Sequence, residues 1–255
     1  MAVGGYARGV YGVPGRVDRG SSFAIVKNNK GGVDITMDGT NFSYAAADKQ
    51  GNGYYRSDGG GAHQAHSWES AADKHSFSQL WSYSFEENVN STHSGFAVVG
   101  AETKPEVLVN KASATYRGSM GGHTIAGPMQ GDWRQLVSKG MDSTVLDVQF
   151  GANPTISGTI SNMQIRDSVN DGKGWGPFRD MAGTLTLESA PISGNGYEGK
   201  VTADAAFINS VGFTKFENGK YAGRFYGPNG EEAAGVISGD NNVGSMFLGG
   251  FRAWE

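Results

Sequence analysis

Five histidines could place an imidazole on a ligand: His63, His66, His75, His93 and His123. Three fall close together, as His63-x-x-His66 and then His75, beside Tyr54, Tyr55, Trp68, Trp81, Tyr83 and Phe85. Neutral imidazole is a good ligand for iron, zinc, copper or nickel. A haem iron needs one or two such ligands and an apolar or aromatic enclosure over the porphyrin faces. His63 and His75 are the first choices for the iron. Tyr54, Tyr55 and Trp68 could cover the ring, and Arg56 or Lys74 could pair with a propionate. His63 and His66 are too near in sequence to reach one iron from both faces, so a second ligand would come from His75 or His93. His123 is the last choice. Spacing alone favours a plainer reading, in which loop histidines are solvated and an aromatic strand face is core.

No catalytic pattern competes with binding. There is no nucleophile elbow, no helical H-E-x-x-H and no Gly-rich loop opening a helix. Carboxylates are scattered, so no glycosidase pair stands out. The expectation is a protein that is not an enzyme.

The elements that must hold these residues are strands. Gly accounts for 41 of 255 residues without a Gly-x-y period, lying between short β-branched and aromatic runs. That pattern reads as all-β with many turns. Net charge is -4 with mixed signs, and no basic patch interleaves with aromatics, so nucleic acid is not expected as a partner. No run approaches the ~20 apolar residues of a membrane-spanning helix, so no membrane insertion is expected. No basic-then-apolar stretch opens the chain, and Cys is absent.

In chain order, Ala2 to Gly20 reads as an extended lead-in or edge strand. Ser22–Lys27, Val33–Met37 and Asn41–Ala45 read as short strands. Asp48 to Ser67 is Gly-rich and reads as a flexible surface loop, the usual place for binding residues. Trp68–Lys74 could form one or two helical turns. Ser78–Glu86 alternates as a strand with one aromatic face, Asn88–Ser94 reads as a turn, and Gly95–Gly100 as a further strand. From Lys111 eight strands are expected, near Ala112–Gly118, Thr144–Phe150, Thr155–Ile165, Met181–Glu188, Gly196–Ala206, Lys220–Tyr226, Ala233–Ser238 and Gly244–Ala253. A short helix is expected around Trp133–Val137. The stretch YAGRFYGPNGEEAAGVISG, Tyr221 to Gly239, reads as a hairpin turning at Gly227-Pro228-Asn229-Gly230.

That hairpin resembles the FYGP-x-A-x-E-x-G-G-x-F hairpin of the transferrin-binding-protein-B-like β-barrels. Gly95 to Gly122, GFAVVGAETKPEVLVNKASATYRGSMGG, is similar to the same family's passage into its barrel. Leu146 to Ser161, LDVQFGANPTISGTIS, resembles its D-x-x-F-x-x-x-x-[LIV]-S-G-x-I pair. The three matches run in order from Gly95 to the C-terminus. The resemblance implies an all-β, two-domain chain: an N-terminal sheet-rich handle or clamp over residues 1–110, carrying the ligand site, and a C-terminal eight-stranded antiparallel β-barrel over residues 111–255.

Two functions follow from the resemblance. The absence of Cys and the histidine-bearing first third are similar to the hemophilins, the soluble secreted branch that binds haem. That branch implies a Gram-negative hemophore that captures haem outside the cell, from a host haem protein among other sources, and delivers it to an outer-membrane haem receptor. Export would use an outer-membrane translocon of the surface-lipoprotein-assembly-modulator type. The alternative is a host-protein-binding surface module of the transferrin-binding type, gripping its partner with aromatic loop residues such as Tyr6, Tyr11, Tyr54, Tyr55 and Trp68. A colonisation factor without a small ligand is a third reading. Many relatives are anchored through an N-terminal Cys. The departure here implies either a released protein or an anchor outside these residues.

Overall fold

A computed structural model of the chain describes residues 2–10, 17–18, 23–37, 40–50, 54–56, 63–68, 77–88, 91–126, 132–169, 174–241 and 244–255. The first part of the chain carries β1 (Ala2–Val10), β2 (Val17–Asp18), β3 (Phe23–Lys27), β4 (Val33–Met37), β5 (Thr40–Tyr44), β6 (Lys49–Gln50), β7 (Tyr54–Arg56), β8 (His63–Ser67), β9 (Ser78–Asn88) and β10 (Ser91–Gly100). Helix α1 (Pro105–Val109) follows, then β11 (Ala114–Ala126), β12 (Asp132–Ser138), β13 (Thr144–Gln149), β14 (Thr155–Ile160), β15 (Met163–Val169), β16 (Gly174–Trp175), β17 (Arg179–Met181), β18 (Leu185–Ser193) and β19 (Gly196–Ala203). The chain closes with α2 (Ala205–Val211), β20 (Glu217–Tyr226), β21 (Glu232–Asp240) and β22 (Met246–Trp254).

Eight of these strands close into an antiparallel barrel, in the order β11-β13-β14-β18-β19-β20-β21-β22 and back to β11. The long β11 makes this possible. Ala114 to Gly118 pairs with β13, Gly121 to Ala126 pairs with β12, and its other edge pairs with β22. Closure leaves no unpaired edge in the ring. Strands β12, β15, β16 and β17 continue outward from β11 as a flap.

The barrel interior is filled with side chains. On β20, Tyr221 and Phe225 point inward with the period of a strand and meet Tyr116, Phe150 and Tyr197. Glycine makes room for the tyrosines: a Cβ at Gly223 would stand 2.5 Å from the Tyr197 hydroxyl, and one at Gly199 would stand 2.5 Å from the Tyr221 ring. The hydroxyls are satisfied by backbone. Tyr197 donates to the Ala234 carbonyl at 3.1 Å, Tyr221 to that of Glu188 at 2.7 Å, and Tyr116 to that of Gly230 at 2.6 Å. A small barrel packed in this way is a scaffold.

The Tyr221–Gly239 hairpin is present as β20 and β21, with Gly227 at φ +92° and Gly230 at φ +72° in its turn. Other expectations change. Thr155–Ile165 is two strands, β14 and β15, broken at Asn162, which has φ +50°. Met181–Glu188 is split between β17 and β18. Trp133–Val137 is strand β12, because it pairs with β11 on one side and β15 on the other. The turn expected over Asn88–Ser94 is shorter, since β10 already starts at Ser91 and pairs with β9 from there. Gly196–Ala206 ends early, and α2 begins where the Asp204 carboxylate accepts from the Phe207 amide at 2.7 Å. The expected helix over Trp68–Lys74 falls, beyond Trp68, outside the described residues.

The earlier strands form a seven-stranded sheet, β2-β1-β10-β9-β8-β7-β6, and a three-stranded sheet, β3-β4-β5. Asp48 to Ser67, expected as a loop, contains β6, β7 and β8, which pair in series with β9. The larger sheet uses both faces. Ala65, Trp81, Ala97 and Val99 pack with Ile25, Ile35 and Tyr44 of the small sheet. Leu80, Phe96 and Val98 pack on Ile125, Val236 and Leu248 of the barrel. Trp81 and Tyr83, on the aromatic side of β9, are therefore core under the small sheet, while its polar, small side faces the barrel. Glycines flatten the barrel wall here, for a Cβ at Gly121 would lie 2.4 Å from the Trp68 ring and one at Gly250 would lie 2.2 Å from Leu80.

Candidate ligand cleft between sheet and barrel

The split of β8 between its two faces decides which histidines can meet a ligand. His63 and His66 are three residues apart on a strand, so they point to opposite faces. His63 turns toward the small sheet: its Nδ1 lies 3.1 Å from the Tyr44 hydroxyl, and its ring packs against Phe42 and Tyr44. Burial holds its pKa down, partly offset by Asp48. His66 turns toward the barrel, and His123 on β11 faces it from the other wall.

Between them lies a cleft of about 300 Å³. The sheet contributes Gln64, His66, Ser82, Ser84, Ser94, Gly95 and Phe96. The barrel and flap contribute His123, Ile125, Trp133, Gln135, Arg166, Trp175 and Leu248. The sheet wall is built largely from serines and a glycine, where the flap carries indoles. Ring contacts crowd His123: Phe96 at 5.5 Å, Trp68 at 5.8 Å, Trp133 at 6.2 Å and Trp175 stacked at 6.3 Å. Trp68 also touches His66 at 5.3 Å and donates its indole N–H to Ser82 Oγ at 2.7 Å.

His123 is poorly satisfied by the protein around it. Its Nδ1 is buried and has no hydrogen-bond partner. Burial first, then the neighbouring His66 and Arg166, bring its pKa down to about 4. The imidazole is neutral at pH 7, the form that ligates a metal. It also has a consequence for stability. The unfolded histidine titrates near 6.5 and the folded one near 4, so the unfolded chain binds more protons between these values. The stabilisation is complete above about pH 6.5 and is lost as pH falls toward 4, at up to ~1.4 kcal/mol per pH unit. Denaturant midpoints measured from pH 7 to pH 4 should fall more steeply for the native chain than for His123→Phe.

The other residues that the sequence suggests for the site are dispersed. Tyr54, Tyr55 and Arg56 lie on β7, opposite His66, Ala65 and Gln64 in register. His93 lies on β10 opposite Phe85 and Val10. Lys74 and His75 lie outside the described residues, as does Tyr11, while Tyr6 is on β1 opposite Ala97. Of the sequence candidates, the structure brings His66 to the cleft, with Trp68 packed against it, and adds His123, the last choice, with Trp133, Arg166 and Trp175. Those additions come from strands far apart in sequence, so no local spacing marks them. Among the described residues no group of three His, Asp or Glu is placed to hold a metal ion. Two imidazoles, His66 and His123, line the cleft from opposite walls, with indoles and a guanidinium alongside.

Residues 109–253 match the family model for the C-lobe and N-lobe β-barrels of transferrin-binding protein B. No curated protein sequence matches the chain. Among solved structures, transferrin-binding protein B of Haemophilus parasuis superposes with a TM-score of 0.55 at 17% identity, covering 94% of this chain and 45% of that one. The isotype 1 protein of serogroup B Neisseria meningitidis gives 0.50 at 18% identity, covering 100% and 43%. The chain thus spans less than half the length of these relatives. At such identities the likeness shows the fold alone.

Proposed function

We propose, on the premise that this chain belongs to the family of β-barrels that build the lobes of transferrin-binding protein B, that it is a binding module, without catalysis, acting at or outside the surface of a Gram-negative bacterium. Its partner in this reading is a host iron-carrying protein of the transferrin type. The observation that supports it is the family match over residues 109–253, together with a sheet docked on that barrel. Immobilised chain exposed to serum should retain transferrin, and the retained protein should be identified by mass spectrometry. Serum from several mammals leaving no transferrin on the matrix would sink the reading.

A second reading is favoured by a specific observation, the pairing of His66 and His123 across the cleft. In it the chain is a hemophore. His66 and His123 would hold the iron, Trp68, Trp133 and Trp175 would cover the porphyrin, and delivery would be to an outer-membrane receptor. Bound haem would supply only its iron and its chromophore. A hemin titration should give a saturable Soret shift near one equivalent, reduced at least 10-fold in affinity by His66→Ala combined with His123→Ala. An unchanged titration in the double variant removes this reading.

A further inference from the structure

Arg166 lines the cleft, and among the described residues no carboxylate pairs with it. It sits on β15, in the flap, and its Nε donates to Gln135 Oε1 at 2.7 Å. Its guanidinium lies over two rings, 4.4 Å from the centre of Phe178 and 5.1 Å from that of Trp175. The arginines around it are paired: Arg134 and Arg179 both bond Asp167, Arg134 at 3.0 Å. A guanidinium that is stacked, partly desolvated and fixed at one nitrogen presents its remaining N–H groups as a ready fork for a carboxylate. Burial lowers its pKa somewhat.

Two further residues of the lining carry buried polar atoms without partners. Ser94, only 6% exposed, has a buried Oγ with no partner, and His123 Nδ1 is likewise unsatisfied. Buried polar atoms in native proteins are nearly always bonded, so two unsatisfied ones in a single lining set this region apart from the rest of the core. The lining also carries two indoles, Trp133 and Trp175, whose faces or edges can receive an aromatic ring.

We propose that this cleft binds a planar aromatic carboxylate, its ring among the indoles and its carboxylate on Arg166. Neither a protein partner nor a haem iron is required for such binding. A porphyrin carries both features, but so does a small aryl acid, and the two sources separate in one set of experiments. The first probe is 2-naphthoate, read by quenching of tryptophan fluorescence, against its uncharged isostere 2-naphthamide. Naphthoate should quench saturably, with the amide at least 10-fold weaker. Arg166→Gln should weaken naphthoate at least 10-fold while leaving the amide unchanged, and Arg166→Lys should recover part of the loss. Equal binding of acid and amide overturns the proposal, as does unaltered naphthoate binding in Arg166→Gln or the absence of saturable quenching in the native chain. The amide comparison uses the native chain and so stands even if a variant folds poorly. Hemin is the second probe. Hemin binding without naphthoate binding overturns the proposal and leaves the haem reading intact. Naphthoate binding without hemin binding supports the proposal and removes the haem reading.

Discussion

Replacing Glu232 with Ala should release the sheet from the barrel at a cost of roughly 3–5 kcal/mol, the range for breaking a buried charged contact by removing one partner. Glu232 begins β21, is only 4% exposed, and reaches across to the start of β9. One carboxylate oxygen accepts from the Phe77 amide at 2.7 Å, and the other from the Ser78 amide at 2.9 Å and the Ser78 hydroxyl at 2.7 Å. Arg252, from β22, donates to the Ser78 carbonyl at 3.0 Å. The start of β9 is thus bound to two adjacent barrel strands through buried, charge-assisted hydrogen bonds. Removing the carboxylate leaves two amides and a hydroxyl without their acceptor, at roughly 1–3 kcal/mol for each buried group that water cannot reach. Glu232→Gln keeps one carbonyl oxygen and should cost about half as much. Limited proteolysis tells this apart from general unfolding. In Glu232→Ala the segment before Gly100 should be cut rapidly while the fragment after Lys111 survives. Cleavage spread evenly through the barrel would contradict the assignment of this contact as a latch.

Phe225→Ala should lack that selectivity. Phe225 is fully buried, at the centre of a ring cluster with Tyr116, Phe150 and Tyr197 at 5.4 to 5.9 Å. A cavity of that kind in a close-packed core costs about 3–5 kcal/mol. The barrel has no second interior to redistribute into, since its tyrosines are already tied to backbone carbonyls. The chain should therefore lose its cooperative thermal transition as a whole, and both fragments should become protease-sensitive together. A melting temperature within a degree or two of the native value would contradict the packing described.

The barrel is legible in the sequence because its strands announce themselves locally. The hairpin from Tyr221 to Gly239 carries alternation and turn glycines in one short stretch, and each barrel strand overlaps an expected one, though the bounds near β14 and β18 shift. Elements decided by distant pairing are not legible in this way. Trp133–Val137 looks helical in isolation and is a strand because β11 and β15 flank it. The Gly-rich stretch ending at Ser67 looks like a loop, yet β8 is held by β9. The start of α2 is marked by Asp204 and its end by Gly212, whose φ is +72°, but the strand pattern ahead of it dominates. The cleft is the least legible part. His66 is among the sequence candidates, but its partner His123 lies in a barrel strand and Arg166 in a flap, and only the docking of sheet on barrel brings them together. One clue is present: His63 and His66, three apart, must face opposite ways on any strand.

The most direct test of the proposed function is calorimetric titration of the chain with iron-loaded transferrins. Saturable heat near one equivalent is expected with at least one of them, retained in His66→Ala/His123→Ala and weakened in Glu232→Ala, where the sheet no longer sits on the barrel. No heat with any transferrin, alongside a saturable Soret shift with hemin, would contradict the host-protein reading and leave the His66–His123 cleft as the working site.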